Sequence, residues 1–115
     1  MSNREIVMEI VAAFDNNDIE AILNCVDDDI EWKMLGENTI TGKENLRQFF
    51  ADHTDMKMIS STKEHVIIDG DQACVAGTVN CSDGKGNDFY MHYCDIYEIV
   101  NGKIKTMITF SVNKK

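Results

Sequence analysis

Near the amino terminus, Ile6, Val7, Ile10, Val11 and Phe14 fall at helical spacing and make one apolar stripe over residues 3–15. The run Asp15-Asn16-Asn17-Asp18 interrupts it. Asp18 is a natural N-cap for a second, shorter helix that buries Ile19, Ile22, Leu23 and Val26. Asp27-Asp28-Asp29 reads as a solvated turn, after which the period changes to two. Ile30, Trp32 and Met34 then face one way and Glu31 and Lys33 the other, which predicts a strand with one dry face. Thr41-Gly42-Lys43-Glu44 has the spacing of a capping box. It predicts a third helix with Leu46, Phe49, Phe50 and His53 on one side.

From about residue 61 onward the pattern is that of strands, punctuated by the hairpin signals Asp69-Gly70, Asp83-Gly84 and Asn101-Gly102. Three helices followed by an antiparallel meander define an α+β plan, with the helices packed on one face of a curved sheet. One strand raises a question. Asp95 shares its face with Phe89, Met91, Tyr93, Tyr97 and Ile99, so a carboxylate stands in an apolar and aromatic row. The opposite face carries Tyr90, His92, Cys94 and Ile96, and the last strand places Ile104, Thr106, Ile108, Phe110 and Val112 together. A sheet that faces water on one side should alternate apolar with polar. Apolar groups on both faces predict a homodimer through the outer sheet face.

At 115 residues the chain predicts one domain spanning 1–115, with room for one core. The formal charge of −9 argues against nucleic acid or an anionic membrane as partner, because both require basic patches. The only adjacent basic pair is the terminal Lys114-Lys115. The amino-terminal segment has helical periodicity in place of a signal peptide's solid apolar run, and no stretch approaches the ~20 apolar residues of a membrane span. Cys25, Cys74, Cys81 and Cys94 lack C-x-x-C spacing and read as reduced thiols in a cytoplasmic protein.

The segments "FDNNDIEAILNCVDDDIEW", "TGKENLRQFF" and "YCDIYEIVNGKI" resemble the SnoaL-like polyketide cyclase and ketosteroid-isomerase group, part of the nuclear-transport-factor-two-like superfamily. The likeness runs over nearly the whole chain. It implies a curved sheet wrapped around a helix to leave a conical apolar pocket, in a fold that hosts isomerases, cyclases, dehydratases, epoxide hydrolases and non-catalytic binding domains. Carried over residue by residue, most of the family's chemistry has no counterpart. Met34 stands where the isomerases keep a carboxylate base, and Ile10 where they present a tyrosine. Epoxide hydrolases of this fold need an arginine between two strand aspartates, whereas Arg4 and Arg47 fall in helices and Thr109 stands near one acid position. Asp95 does match the isomerases' oxyanion-stabilising acid.

Asp95 is therefore the leading catalytic candidate. A carboxyl among apolar neighbours has a raised pKa and can exchange a proton near neutral pH; the bland alternative is an acid that only holds its hairpin. Tyr93 and Tyr97 could orient a ligand carbonyl, or be core bodies with satisfied hydroxyls. His53, at the end of the third helix, could gate the pocket or simply favour the helix dipole. Phe14, Trp32, Met34, Phe50, Val79, Met91, Tyr97 and Met107 are the expected pocket walls, with Gly77 leaving volume. His92 and Cys94 share a face, but a zinc site needs three or four ligands, so no metal is expected. The expected ligand is a small apolar molecule bearing a carbonyl or hydroxyl. The alternatives are cofactor-free acid/base catalysis by Asp95 and a non-catalytic dimeric interaction module.

Overall fold

A computed structural model describes residues 2–113; Met1 and the Lys114-Lys115 pair lie outside the described residues. Helix α1 spans Asn3–Asp15 and buries Ile6, Val7, Ile10, Val11 and Ala13. A capping box starts it: Ser2 Oγ accepts from the Glu5 amide at 3.1 Å, and Glu5 Oε1 accepts from the Ser2 amide at 3.2 Å. Helix α2 (Ile19–Cys25) is capped by Asp18, whose carboxylate accepts from the Ala21 amide. Helix α3 (Lys43–Asp52) has no side-chain cap. The expected box at Thr41 does not form because Gly42, at φ 91°, occupies the cap position and leaves Thr41 in a strand.

Among the described residues, seven strands make one mixed, unclosed sheet: β1 (Val26–Met34), β2 (Thr39–Thr41), β3 (Lys57–Ser61), β4 (His65–Asp69), β5 (Gln72–Ser82), β6 (Asp88–Val100) and β7 (Lys103–Asn113). Their order is β2-β1-β7-β6-β5-β3, and β4 pairs with the other half of β5. Among the described residues only β1 and β7 run parallel. Asn101 and Gly102, at φ 51° and 77°, make the tight β6–β7 hairpin that right-handed strand twist favours.

Two expectations change here. Asp27-Asp28-Asp29 lies within β1, in a bulged stretch between Val26 and Glu31, not in a turn. Asp27 and Asp29 approach Lys105 Nζ of the neighbouring β7 at 3.5 and 3.7 Å, which offsets their mutual repulsion inside a strand. The second change concerns Ile104. Tyr97 pairs with Met107 and Glu98 with Thr106, but Ile99 pairs with Ile104, so Lys105 is an extra residue in β7. A bulge of this kind reverses the facing of the residues beyond it. Ile104 is therefore fully buried on the inner face and does not share the outer face with Ile108.

The helices cover the inner face unevenly. Ile6, Ile10, Ile22 and Leu23 close tightly over one end, with Tyr97, Ile99, Ile104 and Met107 of the sheet in the same core. At the other end, beyond Phe14, the layer thins. There the sheet and helices enclose space.

Candidate functional site

That space is a cavity of about 330 Å³ on the inner face, large enough for a small ligand. Its walls are mostly apolar and include Met34, Met56, Met58, Met91 and Met107, five of the chain's seven methionines. Unbranched thioethers rearrange easily, so such a wall adapts its shape to an occupant. Phe14 and Trp32 meet edge-on at 6.0 Å and, with Met34, Met56, Met58 and Cys81, also border a second, outer groove of about 790 Å³ between the helices and β3.

Asp95 lines the inner cavity. Register explains its surroundings: on β6 it pairs with Val75 of β5 and Thr109 of β7. Thr109 Oγ1 donates to Asp95 Oδ1 at 2.8 Å, and Trp32 Nε1 donates to Thr109 Oγ1 at 2.8 Å. An indole nitrogen can only donate. Trp32 thus takes a lone pair of the Thr109 hydroxyl and turns its hydrogen toward Asp95. Oδ1 is committed as an acceptor, which leaves Oδ2 as the oxygen that can carry a proton. Oδ2 has only a long contact, 3.5 Å, from the Tyr97 hydroxyl. Burial pushes the Asp95 carboxyl up to about 6, against the Thr109 and Tyr97 hydrogen bonds that pull it down. At neutral pH the group is chiefly a carboxylate, but with a proton affinity well above that of a solvated acid.

The other expected residues divide. Phe14, Trp32, Met34, Val79, Met91, Tyr93, Tyr97 and Met107 line the inner cavity with Asp95. Tyr93 is pushed up to about 12 by burial and then by the Asp95 charge, so it is a neutral phenol. Its hydroxyl donates to the Thr62 carbonyl at 2.9 Å. Tyr97 is held well above its ordinary range by burial and by the same carboxylate.

Phe50 and His53 lie in the outer groove, not beside Asp95. His53 Nδ1 sits 2.8 Å from the Phe49 carbonyl, and its ring stacks on Phe49 with centroids 4.4 Å apart. Gly77 is not a source of pocket volume. A Cβ there would lie 2.0 Å from the Thr62 carbonyl oxygen, so the missing side chain lets the β3–β4 link pass directly over β5. The same carbonyl is the one Tyr93 holds. Among the described residues, no group of three His, Cys, Asp or Glu side chains comes together, His92 and Cys94 included.

Sequence reasoning missed Asp15, Ser61 and Ser111, all at the cavity wall. Asp15 looked like a helix terminator, and nothing local marks it as facing inward. Its position depends on β3, which the hydrophobic pattern placed late: the Asn17 side chain bonds both the amide and the carbonyl of Met58 and so docks the end of α1 on that strand.

An acid in an apolar hollow between a curved mixed sheet and the helices packed on it defines an α+β fold class. The sequence pattern of the SnoaL-like domain matches residues 7–107, and the chain belongs to that family. Among solved structures, a nuclear-transport-factor-two-like protein of unknown function from Cytophaga hutchinsonii is 25% identical, with 96% of this chain and 100% of that one covered and a TM-score of 0.76. A SnoaL-like protein from Mesorhizobium loti is 22% identical over 96% and 99% of the two chains, with a TM-score of 0.77. An epoxide hydrolase from M. tuberculosis is 16% identical over 94% and 80%, with a TM-score of 0.83. The last two likenesses concern the fold. No curated protein matches the chain in sequence.

Proposed function

We propose that the cavity binds an apolar small molecule carrying a carbonyl or hydroxyl, and that Asp95 exchanges a proton with it through Oδ2 in cofactor-free acid/base chemistry. The observation that carries this reading is the chain Trp32→Thr109→Asp95, which commits Oδ1 as an acceptor and leaves Oδ2 to take the proton. A carboxyl near 6 suits proton transfer close to neutral pH. The reaction class is an isomerisation, cyclisation or dehydration beginning with proton removal beside a carbonyl. Epoxide hydrolysis of the two-acid, one-arginine kind is disfavoured, since Arg47 is engaged with Glu20 at 2.8 Å and Thr109 replaces an acid. Native mass spectrometry of the purified protein would name the ligand. Asp95→Asn should retain binding and abolish turnover of that compound; unchanged turnover would reject Asp95 as the proton carrier.

A second reading concerns assembly. Ile67, Phe110 and Val112 of the outer face are 60%, 41% and 69% exposed, more apolar surface than a solvated sheet favours. We infer a homodimer through this face, in a cytoplasmic setting that keeps the four cysteines as thiols. Ile108→Lys should give a monomer in sedimentation; a wild-type monomer would end this reading.

A further inference from the structure

The cavity has a second polar place, where α1 and β3 end. Asp15 is the last residue of α1 and Ser61 the last of β3, and both line the cavity that holds Asp95. Ser61 Oγ donates to Asp15 Oδ1 at 2.7 Å, and Lys63 Nζ donates to Ser61 Oγ at 2.9 Å and pairs with Asp15 Oδ2. An acid in the last turn opposes the helix dipole, and α1 has no basic residue there. Half-burying such an acid is unfavourable on its own, and Lys63 offsets it from behind the wall. The arrangement holds a carboxylate fixed at the edge of an apolar hollow. Its field also reaches the site, since the Asp15 charge is one cause of the raised Tyr93 and Tyr97 hydroxyls.

We propose that Asp15 and Ser61 form a second subsite, and that the ligand is a neutral apolar dihydroxy compound bridging them to Asp95. This rests on the reading of the cavity as a ligand site. Ser61 donates to Asp15 Oδ1, and Lys63 donates to Ser61 Oγ and to Asp15 Oδ2, so the oxygens at the wall are acceptors and call for a donor. Asp95 Oδ2, when ionised, is likewise an acceptor. Among the described residues lining the inner cavity there are two carboxylates and no basic side chain, which disfavours an anionic ligand. Lys63 already balances Asp15, so an ammonium would gain little there while losing more hydration than a hydroxyl.

Calorimetry with naphthalene, naphthol and naphthalenediol tests this, with the biphenyl series run in parallel because its two hydroxyls stand further apart. Wild-type protein should bind at least one diol about tenfold more tightly than the matching mono-ol, as one charge-assisted hydrogen bond allows. Asp15→Ala should bring the diol down to the affinity of its mono-ol, a loss of the step itself that a purely structural Asp15 would not give. Should Asp15→Ala fail to fold, Ser61→Ala, which loosens the carboxylate without removing it, must shrink the same step. Diols that gain nothing in either series, or a gain that survives these variants, would overturn the subsite while leaving the cavity reading intact. Failure of all six compounds to bind would overturn both.

Discussion

The two ends of the inner face are made by the same strands under the same helices, yet one is solid and the other hollow. At the solid end, Ile6, Ile10, Leu23, Ile99 and Ile104 are at most 3% exposed. At the hollow end the strands carry Met91, Tyr93, Asp95, Thr109 and Ser111 over a wall of adaptable thioethers. Branched side chains with few rotamers fill space in one way and set the fold. Methionines and polar groups at the other end leave a volume whose shape is negotiable. The difference teaches that rigid packing and open volume are segregated along one sheet.

The sharpest way to break the contrast is truncation at each end. Ile10→Ala should cost about 2–5 kcal/mol in denaturant unfolding, the range for a fully buried aliphatic whose cavity cannot collapse. Met91→Ala, facing existing space, should cost under about 1 kcal/mol. Equal losses would mean the hollow end is packed in solution.

Gly77→Ala ranks next. The added Cβ meets the Thr62 backbone, not a flexible side chain, so the β3–β4 link must lift and release Tyr93. A loss of about 1–3 kcal/mol is expected, with the Tyr93 ring resonances shifted in NMR spectra.

Asp95→Asn should act in the opposite direction at neutral pH. The folded carboxyl titrates near 6, above its unfolded value, so the native state binds the extra proton between about pH 4 and 6. Stability contributed by this group is thus highest at low pH, falls as pH rises through that window, and stays reduced above it. The variant should be more stable than wild type at pH 8 by on the order of 2 kcal/mol, less whatever the amide loses in hydrogen bonding. Chemical denaturation at pH 4.5 and 8 checks the sign; an unchanged slope would place Asp95 in water.

Thr109→Val comes last among the changes at the polar row. It removes the donor to Asp95 and the acceptor for Trp32, for about 1–2 kcal/mol. More tellingly, it should raise the Asp95 titration above 6, followed by carbon NMR, since a hydrogen bond favouring the charged form is gone.

How much of this was legible in the chain depends on the range of each interaction. The three helices, the Asn101-Gly102 hairpin and the inward facing of Asp95 depend on local periodicity and turn chemistry, and all could be read. The facing of Ile104 could not, because the extra residue at Lys105 is visible only in pairing with β6. Gly77 was read as a void because a missing side chain and a close backbone crossing look the same in sequence. Thr41 offers a capping pattern in the sequence, and the positive φ of Gly42 decides against it. His53 shares the apolar side of α3, yet that side opens onto the outer groove. Asp15 reaches the cavity only through docking of α1 on β3, a contact between segments about forty residues apart.

The chain has a single tryptophan, and its indole nitrogen hydrogen-bonds the hydroxyl that holds Asp95. The protein therefore contains its own optical probe. Emission from Trp32 should shift when the carboxyl gains or loses its proton and when a guest enters the hollow, with no label attached.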